Sequence, residues 1–148
     1  MKTPQLAFSN AKPGDLEAVL RLLNSANLTA EGVRENLENF IILPDPNSEL
    51  IGVAGLEYYG DSALLRSVAV SEPHRGEGIG QTLVERCIVE SKRRNVRHLY
   101  LLTETAEMFM QRFGFRRLDK GLVDSRLQAS EEFKGACPDT AVTMLLEL

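Results

Sequence analysis

The chain has 148 residues, 43% hydrophobic and 26% charged, which suits one domain over 1–148 with a core large enough to need no staples. Its 17 basic and 21 acidic residues give a formal charge of −4, which argues against a general nucleic-acid binder. No apolar run approaches the roughly 18 residues that span a bilayer, and Met1 to Phe8 lacks an apolar signal core, so the expectation is a cytoplasmic protein without a membrane partner.

Gln5 to Asn10 reads as a short first strand. Lys12-Pro13-Gly14-Asp15 breaks it and opens a helix. Leu16, Val19, Leu20 and Leu23 then follow at helical spacing, and the helix fades between Ser25 and Leu28. A weaker helix is expected over Ala30–Asn39. Phe40–Leu43 is a strand closed by Pro44 and Pro46, with a turn at Asp45–Ser48. Leu50–Tyr59 is a longer strand, Gly60-Asp61 the next turn, and Ala63–Val70 the most strand-like segment of all. Gly78–Asn95 is the strongest helix, its basic end at Lys92, Arg93 and Arg94 favoured by the helix dipole. Arg97–Leu102 is a buried strand, Ala106–Phe113 a short helix ended by Gly114, and Phe115–Leu118 a returning strand. Ser125–Lys134 is expected to be helical, and Ala141–Leu148 is the last strand. The order β-α-α-β-β-β-α-β-α-β-(α)-β predicts an α/β (α+β) domain, a mixed sheet with helices on both faces. Strand 63–70, helix 78–95 and strand 97–102 form a crossover, so those two strands should run parallel.

The informative stretch runs from Val68 to Gln81. A buried strand leaves through Pro73 into Arg75-Gly76-Glu77-Gly78-Ile79-Gly80, which opens a helix. The first amides of a helix lack intrahelical acceptors and carry partial positive charge, so an anion binds there. Three glycines at alternate positions, with Arg75, fit a diphosphate better than a single carboxylate. A Walker A loop needs Gly-Lys-Ser/Thr, and Gln81-Thr82 follows Gly80 instead. A dinucleotide fingerprint needs a third glycine where Gln81 stands.

Arg75 to Gly80 does match R/Q-x-x-G-x-G/A, the acetyl-CoA signature of the GNAT superfamily. Downstream, Leu99 to Thr103 and then Ala106 to Phe115 resemble the family's strand followed by A-x-x-F-Y-x-x-x-G-F. The chain from Gln5 to Leu148 can be laid on the family's order of elements. The resemblance implies a seven-stranded sheet with a V-shaped opening between strands 63–70 and 97–102. It implies acetyl-CoA as co-substrate, its diphosphate held by Arg75, Gly76, Gly78, Ile79, Gly80 and Gln81. The pantetheine arm would pair with backbone at Val68, Ala69 and Val70, and an N–H there would hold the developing oxyanion. The implied activity is N-acetyl transfer by direct attack of an amine, with a small amino-acid-like acceptor. The rivals are a CoA-binding module that has lost catalysis and a protein lysine or N-terminal acetyltransferase. A monomer or homodimer is compatible with either, and no metal is implied.

One departure matters. Met110 stands where many members carry a tyrosine that protonates the CoA thiolate, and a thioether cannot donate a proton. Thr103 and Thr105 also stand where an asparagine often contacts CoA. The acid is therefore absent, supplied by water or placed elsewhere.

An attacking amine must lose a proton, and Glu57, late in its strand, is the candidate base, directly or through water. Its bland alternative is a partner for Arg66. Arg66 and Ser67 interrupt an apolar strand and are the candidate acceptor-binding residues. Arg66 could hold a substrate carboxylate by a two-pronged hydrogen bond or pair with Glu57. His74 belongs to the loop, and His98 has no evident partner. Cys87 and Cys137 form no zinc-ligand pattern, and Cys137 reads as a structural thiol. Glu131-Glu132-Phe133 to Cys137-Pro138 could cover the acceptor site. With Gly55–Glu57 and Leu64–Ser67, this tail resembles the GNAT branch of arsenic-resistance operons, which implies amino-acid-like or organoarsenical acceptors.

Overall fold

The computed structural model of the protein describes residues 7–136 and 140–148. Cys137 and the Gln5-Leu6 start of the expected first strand lie outside them. Among the described residues, seven strands form one sheet: β1 Ser9–Asn10, β2 Phe40–Pro44, β3 Leu50–Tyr59, β4 Ser62–Val70, β5 His98–Thr103, β6 Arg116–Arg117 and β7 Val142–Glu147. Their order across the sheet is β1-β2-β3-β4-β5-β7-β6. Among the described residues, only β4 and β5 pair in parallel, as the crossover requires.

Among the described residues, four α-helices accompany the sheet: α1 Leu16–Ser25, α2 Val33–Asn36, α3 Ile79–Arg93 and α4 Glu107–Gln111. A 3-10 turn over Pro13–Asp15 leads into α1, with the Asp15 carboxylate accepting from the Lys12 N–H at 2.7 Å. The helix expected over Ala30–Asn39 is shorter. It starts after Gly32, at φ 78°, and tightens to 3-10 over Leu37–Asn39.

The two sheet faces bury different sets of residues, as strand alternation demands. One face packs Ile41, Leu43, Ala54, Leu56, Ala63 and Leu65 under α3, with Met110 and Phe115 beside it. The other packs Phe40, Ile42, Val53 and Ala69 against Val19, Leu23, Val33 and Leu37. On that second face Leu64, Tyr100 and Leu145 meet Val123, Leu127 and Phe133. Cys87 is a free, wholly buried thiol of α3, and burial pushes it up to about 12.

The single helix expected over Ser125–Lys134 does not form. A 3-10 turn spans Ser125–Ala129, and a separate π-helical turn spans Glu132–Ala136. Leu127 and Phe133 both pack on Leu64 and Tyr100. Residues six apart lie on different faces of a continuous helix, so burying both requires a break between them. Ser130 supplies it: its N–H donates to the Leu127 carbonyl, and its carbonyl starts the next turn.

Gly55 is a further packing constraint. A Cβ there would lie 2.4–2.6 Å from ring atoms of Phe40, which is fully buried. Gly55→Ala should cost about 1–3 kcal/mol by overpacking. At about 2–4 °C per kcal/mol, thermal melting should show Tm lower by several degrees, and an unchanged Tm would contradict this packing.

Candidate active site between strands β4 and β5

β4 and β5 are hydrogen-bonded only from Ser62↔His98 to Leu65↔Leu101, after which the pairing ends. A bulge in β4 sits at that point. Ser67 and Val68 together oppose Ala54, between the pairs Gly55↔Arg66 and Val53↔Ala69. Ser67 takes φ 60°, a left-handed conformation rare for a side-chain-bearing residue. The extra residue reverses the alternation. Ala63 and Leu65 face α3 before it, Val68 and Val70 face α3 after it, and Ala69 faces α1.

The gap opens into a cavity of about 630 Å³. Its walls are β4 from Leu65 to Val70, the end of β5 and its loop from Leu101 to Ala106, Phe109 and Met110 of α4, and Ala26–Thr29 after α1. Arg75 and Gly80 stand at the loop end; Arg66, Ser67 and Glu132 lie at the other.

At the loop end, the Ser71 N–H donates to the Ile51 carbonyl, and a 3-10 turn over Glu72–His74 follows. Arg75 Nε donates to the Val70 carbonyl at 3.1 Å, holding the guanidinium over the strand end. Gly76 and Gly78 have φ 85° and 82°, and a Cβ on either would meet no atom within 4 Å. Open space faces both positions, so packing does not explain these glycines, whereas their positive φ does. Gly78 caps α3, so the amides of Ile79, Gly80 and Gln81 lie in its first turn, where intrahelical acceptors are lacking. His74 and Glu77 pair with each other at 3.1 Å.

At the other end, Arg66 is fully buried and pairs with Glu57 at 2.7 Å. Of the two readings of Arg66, this geometry is the ion pair. Its Nε donates to Ser67 Oγ at 3.0 Å, and its Nη2 donates to the Thr29 carbonyl at 3.4 Å. Glu132 lies 3.5 Å from Nε. The Tyr59 hydroxyl donates to Glu57, and burial together with that bond pushes the phenol well above its ordinary range. Glu57 itself does not line the cavity; Arg66 stands in front of it.

Sequence reading did not find Tyr59 as part of this cluster. Strand alternation could have, because residues 57 and 59 share a face, and Arg66 lies diagonally across from Glu57 once the Gly60-Asp61 turn sets the register. Met110 lines the cavity but is only 6% exposed and packs into the α3 core. Thr103 Oγ accepts the Ala106 N–H at 2.9 Å, which fixes the loop before α4. Among the described residues, no helix is long and apolar enough to cross a membrane.

Known proteins share both sequence and architecture with this chain. Protein YwlB of Bacillus subtilis, uncharacterized, is 31% identical over 134 residues, 87% of this chain and 86% of that one. The uncharacterized N-acetyltransferase CT2212 of Chlorobaculum tepidum is 27% identical over 128 residues, 81% of each. Among solved structures, Rv2747 of Mycobacterium tuberculosis, in complex with CoA and a second ligand, superposes with TM-score 0.78 at 21% identity, over 96% of this chain and 99% of that one. N-acetylglutamate synthase of Neisseria gonorrhoeae, complexed with CoA and N-acetyl-glutamate, superposes with TM-score 0.83 at 17% identity, over 99% of this chain and 36% of that one. At those identities the two structures speak for the fold. The sequence model of the acetyltransferase (GNAT) domain matches residues 36–117, from the end of α2 through the β4–α3 loop to β6, and with the gap between β4 and β5 this places the chain in the GNAT acetyltransferase family.

Proposed function

We propose that the chain transfers the acetyl group of acetyl-CoA to a small primary amine by direct attack. The observation that carries this is the β4–α3 loop, where two left-handed glycines open onto space beside the first turn of α3. There the amides of residues 76 to 81 would hold the diphosphate, with Arg75 above them. Backbone groups at Val68, Ala69 and Val70 would pair with the pantetheine arm, since β5 no longer takes them. An N–H of the bulge would donate to the carbonyl oxygen as it gains charge.

The amine nitrogen bonds to the thioester carbon, the C–S bond breaks, and the amine proton passes to Glu57. That proton crosses a water, because Arg66 separates Glu57 from the cavity. Bound CoA in the similar structures supports the co-substrate, and the N-acetylglutamate synthase likeness supports an amino-acid-like acceptor. Protein mixed with acetyl-CoA and a broad panel of amines should release free thiol with at least one of them. CoA binding without thiol release from any acceptor would favour a module that has lost catalysis, a reading Met110 keeps open. Release with peptides alone would favour a protein acetyltransferase.

A further inference from the structure

Ser67 is the left-handed residue of the β4 bulge, at φ 60°, and it stands where β5 leaves β4. That conformation is disfavoured for a residue with a side chain and open to glycine. Serine occupies it all the same, and its hydroxyl has work on both sides. Toward the protein, Oγ accepts from Arg66 Nε at 3.0 Å. A guanidinium only donates, so this bond leaves the hydroxyl hydrogen unspent. Among the described residues, no acceptor takes that hydrogen. The remaining side is the cavity, where Ser67 forms part of the lining and is 7% exposed. The other hydroxyls on the described lining stand off the bulge. Thr29 Oγ1 accepts the Glu31 N–H at 3.0 Å, after α1, and Thr103 and Thr105 lie across the opening on the β5 side.

We propose that the Ser67 hydroxyl is a catalytic donor, giving its hydrogen bond to the thioester carbonyl oxygen as attack by the amine charges it. This rests on the acetyl-transfer reading above. The amine lone pair forms the N–C bond, and the carbonyl π pair moves onto oxygen. Two donors of one bulge, a main-chain N–H and the Ser67 O–H, then share that charge. When the pair returns, the C–S bond breaks and sulfur leaves with its electrons. Ser67 keeps its proton throughout, and the thiolate takes one from water, because Met110 has none to give. Arg66 strengthens the donor, since a hydroxyl that accepts from a cation gives a stronger hydrogen bond of its own.

Ser67→Gly and Ser67→Ala both remove the hydroxyl; glycine frees the left-handed backbone and alanine does not. The first reading needs no acceptor. Infrared difference spectra of bound acetyl-CoA, labelled with carbon-13 at the carbonyl, should show the C=O stretch at higher frequency in both variants than in wild type. The second is thiol release with an amine that the wild type turns over. There kcat should fall about 100-fold in both variants, the scale of one lost oxyanion donor. The acceptor KM and the calorimetric affinity for CoA should hold within about three-fold, because the bond matures only in the transition state. An unmoved carbonyl band, an unchanged kcat, or a loss carried by the acceptor KM alone overturns the proposal. So does a loss in Ser67→Ala that Ser67→Gly restores, which would trace to the backbone. If neither variant melts as a folded protein, Ser67→Cys decides, since it offers only a weak S–H donor. Wild-type kcat in it overturns the role. Undiminished variants beside an active wild type remove this donor and leave acetyl transfer standing. No thiol release by the wild type with any amine removes both.

Discussion

Gly78→Glu should lower CoA affinity at least ~100-fold, equivalent to about 2.8 kcal/mol. Two costs add. The residue sits at φ 82°, where a side-chain-bearing residue is strained by about 1–2 kcal/mol. The new side chain has open space before it, so it can reach out without clashing inside the protein, into the place assigned to the diphosphate. A carboxylate next to a diphosphate repels it, and like-charge contacts cost several kcal/mol. Gly78→Ala separates the two costs. It pays the backbone strain and keeps the charge unchanged, so it should melt a few degrees lower yet retain most of its affinity. Calorimetric titration with CoA reads the affinity and a thermal melt reads the strain. Wild-type affinity in Gly78→Glu would remove the diphosphate from this loop.

Glu57→Gln is the second large effect. A positioned general base contributes about 10²–10⁴-fold, so kcat should fall by at least ~100-fold. The loss should be deepest at low pH, where the acceptor is mostly ammonium and the proton must be taken during reaction. At high pH the neutral amine is abundant, and the variant should recover part of its rate. Stability should suffer less than removal of half a buried pair normally implies. Stripping one partner from a buried pair costs about 3–5 kcal/mol when the other charge is left alone. Here Arg66 keeps Glu132 at 3.5 Å, and the Gln carbonyl can still accept from Nη1. A pH–rate profile parallel to wild type would take Glu57 out of the chemistry and leave it as Arg66's structural partner.

The parts of the fold that were legible in the sequence share a physical trait: local pattern and tertiary demand agree. α3 buries Ile79, Leu83, Val84 and Cys87 at helical spacing, and its basic last turn suits its dipole. The β3–β4 hairpin follows from two apolar runs around Gly60-Asp61, and Gly60 takes φ 67° in that turn. The β4–α3 loop stood out in the sequence because glycines at 76 and 78 are costly without a backbone reason, and both take a positive φ. The segment from 120 to 136 was not readable. Its apolar residues are spaced to meet Leu64 and Tyr100, not to follow a period, and its turns are fixed by side chains such as Asp124, which accepts the Arg126 N–H at 3.0 Å. The Tyr59–Glu57–Arg66–Glu132 cluster was half readable. Its strand members follow from register, while Glu132 arrives from that irregular segment.

The extra residue in β4 separates what the fold needs from what the opening needs. Deleting Ser67 would leave Val68 alone opposite Ala54, with Val68 and Val70 still toward α3 and Ala69 still toward α1. The loss of one codon there would spare the core and straighten the strand at the very place where it parts from β5.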